Sequence, residues 1–301
     1  MTEIASTPEF VSRVYETMNK NLVTVREKIG RPLTLADKIL LSHLDDPANQ
    51  DMVPGKSYLQ VRPDRVILQD VLGQSAMLQF MQTGRKRVAI PTTIHCDHLI
   101  EARVAGNLDL PASISENNEV YDFLKSAAAR YGAGFWAPGA GIIHQVNLEN
   151  YAFPGAVILG TDSHTPNAGG IGACSVGVGG ADAIDAMAGL TWEVLYPKHI
   201  GVYLTGELSG WTAPKDIVLY LAGQLTVSGG TNSIIEYFGP GARTLSCTGK
   251  ATITNMGAEL GATTSMFCYD EFIGAYLKAT GRAELADLAE QNRELLSIDQ
   301  E

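Results

Sequence analysis

Residues 160–167, GTDSHTPN, put a carboxylate, a hydroxyl and an imidazole at consecutive positions, Asp162, Ser163 and His164. These are the three group types of a nucleophilic relay. The preceding Ala156-Val157-Ile158-Leu159 predicts a short buried strand, so the polar run falls at a strand's carboxyl end. Alternation along an extended chain turns Asp162 and His164 to one side and Ser163 to the other, which removes the literal relay and leaves three groups with separate tasks. A second cluster, His95-Cys96-Asp97-His98, closes another predicted strand over 87–94. An acid beside an imidazole can orient it or hold it protonated, so this cluster reads as general acid chemistry, as metal ligation, or as a loop with one hydrogen-bonded core histidine. Zinc would draw on His95, His98, His144 and His164, whose spacing matches no zinc motif. His144, in GAGIIHQ, reads by itself as a buried histidine bonded to backbone. If two strand ends are neighbours, a hydrogen bond to Asp162 makes it a second acid–base pair.

Other features narrow the chemistry. Residues 169–180, GGIGACSVGVGG, contain neither a P-loop nor a dinucleotide fingerprint and predict close backbone packing rather than a phosphate cradle. Asn255 and Glu259 are four apart, which on a helix puts both on one face. The cysteines Cys96, Cys174, Cys247 and Cys268 are scattered without a C-x-x-C, which fits a reducing compartment and proposes neither a zinc ribbon nor a ferredoxin-like site. A net charge of −11 argues against nucleic acid or an anionic membrane as the main partner, while a small acidic substrate stays compatible. There is no apolar run long enough to span a membrane, and the start MTEIASTPEF shows no leader pattern.

The elements that must position these residues follow from periodicity. A helix is predicted over 9–29, ended by Gly30-Arg31-Pro32; Thr34 and Asp37 form a capping box for a helix running to about Leu44. Further helices are predicted over 70–83, containing Gln74, over 117–131 and over 181–190, with strands at 87–94 and 156–159. The alternation predicts an α/β fold, a sheet with helices on its faces. Around Tyr196-Pro197-Lys198 a second unit starts: a strand at 200–205, a helix opened by Pro214, a strand at 233–237, a helix over 248–257, and helical pieces over 272–296. The expected division is 1–198 and 199–301, and the closing NRELLSIDQE leaves the second unit looking unfinished.

Taken together and in this order, TIHCDHLIEA, GTDSHTPN, GVGGADA, LSGWTAPKDI and NMGAELGATTS resemble the N-terminal part of the aconitase (aconitate hydratase) family, in its mitochondrial type. The resemblance runs from about residue 15 to the end and implies aconitase-like α/β/α sheet domains, the first complete and the second truncated. It implies a hydro-lyase of the tricarboxylic acid cycle that interconverts citrate and isocitrate through cis-aconitate, with a [4Fe-4S] cluster whose open iron acts on the substrate hydroxyl. Carried over position by position, Gln74 and Ser163 match carboxylate binders, and Asp97 and His98 match the pair that protonates the departing hydroxyl. His144, Asp162 and His164 match groups ordering the iron-bound water; Asn255 and Glu259 match residues beside cluster and substrate. The family's three cluster cysteines and its proton-abstracting serine come from later domains, so the resemblance implies no metal ligand in this chain and a missing C-terminal half. Thr254 stands where mitochondrial members often have a non-ligand cysteine. A non-catalytic protein that binds a carboxylic acid or a partner, and a homocitrate or alkylcitrate dehydratase, are the alternatives. The implied partner is a small tricarboxylate. The implied location is the mitochondrial matrix, with the cytoplasm left open by the absence of a visible transit peptide.

Overall fold

The computed structural model describes residues 4–300. Helix α1 (Pro8–Ile29) is written almost entirely in its ends: the Thr7 hydroxyl accepts the Phe10 amide, proline opens the first turn, and Gly30 closes it at φ 63°. Val11, Val14, Tyr15, Met18, Leu22 and Val25 form its buried stripe. Helix α2 (Leu35–Ser42) opens on the expected Thr34/Asp37 capping box and stops two residues short of Leu44.

The chain continues through β1 (Tyr58–Val61), β2 (Arg65–Gln69), α3 (Asp70–Gln82), β3 (Thr92–His95), α4 (Gly106–Glu116), α5 (Asn118–Tyr131), β4 (Gly134–Trp136) and α6 (Ile143–Asn150). It then runs through β5 (Val157–Gly160), a 3₁₀ turn (Thr165–Ile171), β6 (Cys174–Gly177), α7 (Gly180–Met187) and β7 (Trp192–Leu195). Strands β4-β3-β2-β5-β6 lie side by side in one parallel sheet, and β1 pairs with β7 apart from it. β2 and β5 are buried at every position, as a parallel sheet covered on both faces requires. The chain builds from β2 outward to β4, then returns to lay β5 on the other side of β2. The reversal opens a crevice at the carboxyl ends of β2 and β5, where open α/β sheets place their ligands.

A second parallel sheet, β10-β9-β8, is built from β8 (Lys198–Tyr203), β9 (Ser233–Phe238) and β10 (Thr264–Phe267), with α8 (Pro214–Leu225) and α9 (Cys247–Asn255) between them. Helices α10 (Glu271–Ala279) and α11 (Ala283–Gln291) return to the first core: Ile273, Leu277, Leu285 and Ala289 share a cluster with Val11 and Met18. This α/β architecture is the fold class the alternation predicts.

Two predicted elements come out differently. The strand expected over 87–94 is only Thr92–His95, because Pro91 cannot donate to a ladder and the Val88 and Ala89 amides go to Tyr131 O and Met187 O. The helix expected over 248–257 is α9 to Asn255 followed by a 3₁₀ turn (Met256–Leu260), so Asn255 and Glu259 do not share one α-helical face.

The sheets are locked by close approach and buried charge. A Cβ on Gly169 would lie 1.8 Å from Ser265 O, and one on Gly170 2.2 Å from Ala251 N, so the glycine-rich run serves backbone packing, as its sequence predicts. Glu236 of β9 accepts the Leu35 and Ala36 amides at the start of α2, and buried Asp37 accepts the Tyr196 hydroxyl and Arg31. Lys250, 1% exposed, pairs with Asp270 and sits 5.8 Å from the Phe267 ring centre. Removing one partner of such a pair strands the other charge, so Lys250→Ala is expected to cost about 3 to 5 kcal/mol. Urea unfolding checks this; a loss below about 1 kcal/mol, the worth of an exposed pair, would contradict it.

Candidate active site

The crevice end of the five-stranded sheet collects predicted residues, joined by Asp70, from the ends of four strands. Asp70 and Gln74 follow β2 on the first turns of α3, Asp97 and His98 follow β3, His144 lies on α6 after β4, and Asp162, Ser163 and His164 follow β5. Residues 161–164 form a turn rather than continued strand: the His164 amide donates to Asp162 Oδ1 at 2.7 Å, and the Thr165 hydroxyl donates to Asp162 O at 2.6 Å. The strict two-sided alternation expected of an extended chain therefore fails, and Ser163 Oγ lies 3.3 Å from His164 Nδ1. Gly177 permits the turn's position, since a Cβ there would meet Asp162 O at 2.6 Å.

Asp162 is the meeting point. Its Oδ2 takes His98 Nε2 at 2.6 Å, and its Oδ1 takes His144 Nε2 at 3.0 Å, with His164 Nδ1 at 3.7 Å. His98 Nδ1 faces Asp97 Oδ1 at 2.9 Å, and His164 Nε2 faces Glu259 Oε1 at 3.0 Å. Glu259 thus arrives from the 3₁₀ turn Met256–Leu260 ahead of β10; Asn255 lies beside Thr254, whose hydroxyl donates to Asn167 O. Burial alone would raise the Asp162 carboxyl, but the hydrogen bonds from His144 and the His164 amide, with the field of the neighbouring imidazoles, hold it well below the usual carboxylate range. Burial pulls His98 down, and Asp97 followed by Asp162 more than reverses it. Both ring nitrogens of His98 face carboxylate oxygens, so both carry protons.

His144 is not at a strand end. It occupies the first turn of α6, because Asp97 Oδ2 accepts the Ile143 amide at 2.8 Å and caps the helix from a distant loop, a signal the local sequence does not carry. His95 belongs to no zinc set: it is fully buried, stacked on Trp136 and bonded to Thr93, and burial with nearby Arg65 pushes it down to about 3. Sequence reasoning passed over Asp70. Its carboxylate accepts the His98 and Leu99 amides at 3.0 and 3.2 Å and shapes the loop that presents Asp97 and His98. An acid opening a helix straight after a buried strand is the pattern that marks it.

The cysteines are built differently from ligands. Cys96, Cys174 and Cys247 are at most 3% exposed, and burial pushes each thiol up to about 12. Cys174 opens β6, at the end of that strand away from Gly177 and the crevice, and Cys247 Sγ donates to Gly170 O. Among the described residues no thiol belongs to a group of three side chains close enough to share a metal, so these buried thiols do not form the ligand set of an iron–sulfur cluster.

A parallel α/β sheet whose switch point carries an imidazole–carboxylate network defines an acid–base site of the doubly wound class. Its family follows from comparison: the profile of the aconitase family (aconitate hydratase) matches residues 37–300, and the chain belongs to that family. It is 62% identical over 275 residues to a protein of Emericella nidulans named aconitate hydratase, mitochondrial, covering 91% of this chain and 35% of that one. A protein of the same name from Aspergillus fumigatus is 58% identical over 298 residues, covering 99% of this chain and 38% of its own. One from Saccharomyces cerevisiae is 58% identical over 288 residues, covering 95% and 37%. The chain thus spans little more than a third of the length of these curated relatives. The family implies a [4Fe-4S] cluster. No helix among the described residues is long and apolar enough to cross a membrane.

Because His98 is held between two carboxylates, its titration midpoint is expected above the ordinary value of about 6.5. Linkage fixes the sign: the stability it contributes is complete below about pH 6.5 and is lost as pH rises through the raised folded value. Histidine-resolved NMR titration tests this. Asp97→Asn should bring the midpoint down, and an unmoved midpoint would remove Asp97 as the cause.

Proposed function

We propose that these residues are the acid–base part of an aconitate hydratase centre, acting in the reversible conversion of citrate through cis-aconitate to isocitrate. The observation that supports this best is the single ionised Asp162 shared among His98, His144 and His164, with Asp97 and Glu259 behind the outer two. In this reading His98, protonated and held by Asp97, gives its Nε2 proton to the substrate hydroxyl. The C–O bond breaks, the oxygen leaves as water, and rehydration returns the proton to His98. His144 with Asp162, and His164 with Glu259, hold that water beside the reacting carbon. Gln74, Ser163 and Asn255 donate to substrate carboxylates, and residues 1–198 and 199–301 form the two units that bring these groups together.

The remaining parts lie in further polypeptide. The cluster's thiolate ligands and the base that takes the carbon-bound proton fall outside these residues, a reading supported by the buried, protonated thiols. Electrostatics supports it as well. Asp70, Asp97 and Asp162 gather around His98 and Glu259 faces His164, so a tricarboxylate needs cations from elsewhere before it can settle here. The mitochondrial matrix is the proposed location, after the names of the relatives.

The chain alone, after iron–sulfur reconstitution, is expected to show no cis-aconitate absorbance from citrate. Adding the C-terminal part of a relative is expected to restore turnover, and His98→Gln in the restored enzyme to lower kcat by about 10²- to 10⁴-fold. Turnover by the chain alone would overturn the placement of the missing parts; an undiminished His98→Gln would overturn the role of His98.

A further inference from the structure

Behind His144, on the side turned away from the crevice, four buried polar atoms have no protein partner: His144 Nδ1, Asn147 Oδ1, His95 Nδ1 and Arg65 Nη1. Their residues are 6%, 1%, 0% and 2% exposed, so bulk water does not reach them. They belong to one layer. The register of β2, β3 and β4 puts Arg65, Thr93, His95 and Trp136 on the same sheet face. Helix α6 covers that face, with His144, Asn147 and its cap Tyr151 along one side. The Arg65 guanidinium lies 4.2 Å over the Tyr151 ring, and Trp136 Nε1 donates to Tyr151 Oη at 2.9 Å.

Each group has a defined sense. Arg65 is a donor only. The Thr93 hydroxyl, 2.8 Å from His95 Nε2, can donate there, and the neutral ring then presents Nδ1–H as a second donor. His144 turns Nε2 to Asp162, and in the neutral ring that tautomer leaves Nδ1 as an acceptor; Asn147 Oδ1 is another. Two donors and two acceptors left without partners in one buried layer match the balance of water, which accepts two hydrogen bonds and donates two.

We infer that a short file of buried water runs between α6 and the sheet, from Arg65 and His95 to Asn147 and His144, and that Asn147 and His95 are positioning residues fixing His144 as the Nε2–H tautomer. Its catalytic meaning rests on the role proposed for His144; the hydration itself does not. The water donates to Nδ1, so the ring keeps its proton on the nitrogen that faces Asp162 and the crevice. Asn147 supplies the acceptor that holds that water in orientation.

A high-resolution crystal structure of the chain, together with long-range ¹H–¹⁵N spectra of its histidines, tests the inference without any assay of turnover. Ordered water at hydrogen-bond distance from His144 Nδ1 and Asn147 Oδ1 is expected, with the Nδ1 resonance upfield of an unbonded acceptor. Asn147→Leu, close in size and lacking the acceptor, should lose that water and move the His144 Nδ1 resonance downfield, while Asn147→Asp, which keeps an acceptor, should retain both. A dry layer in the unaltered chain, or a His144 resonance unmoved by Asn147→Leu, would overturn it.

Discussion

A carboxylate taken out of water must either take up a proton or be ringed by donors, and Asp162 is ringed. Its two oxygens hold the His98 and His144 rings and the His164 amide, while Asp97 and Glu259 grip the outer imidazoles from behind. The charge is stabilised only while all of these stay in place. Much of the surrounding architecture can be understood as keeping them there: Thr165 and the bare backbone of Gly177 fix the turn that carries Asp162, and Asp70 fixes the loop that carries His98.

The fold supplies the convergence. A sheet whose strand order reverses between β2 and β5 brings the carboxyl ends of β2, β3 and β5 to one crevice. Packing of the 3₁₀ turn after His164 against α9, at Gly170, then brings in Glu259 from the turn ahead of β10. Asp97 serves twice, holding His98 with one oxygen and starting α6 with the other, so the same side chain orients one imidazole and positions the next. A disturbance at Asp97 therefore reaches both His98 and His144.

Local rules made several of these features legible in the sequence. The Gly30 close of α1, the capping box of α2, the short apolar strand before Asp162, and the role of the glycine-rich run in backbone packing all follow from neighbours in the chain. What was illegible came from partners far away in sequence. The helix that carries His144 is capped by Asp97, the strand before His95 is shortened by bonds to Tyr131 and Met187, and Asp70 shows its purpose only once the loop after β3 folds over it. The combined motifs named most of the side chains that meet at the crevice; the sharing of one carboxylate among three rings was readable only in three dimensions.

The central claim is that Asp162 organises His98, His144 and His164 as one unit. The most direct measurement compares histidine side-chain NMR spectra of the chain and its Asp162→Asn variant, with His43, bonded to Asp64, and His199, beside Asp37, as internal references. The account predicts that the resonances of His98, His144 and His164 all move while those of His43 and His199 stay. Movement of only one of the three, with the other two unchanged, would contradict it.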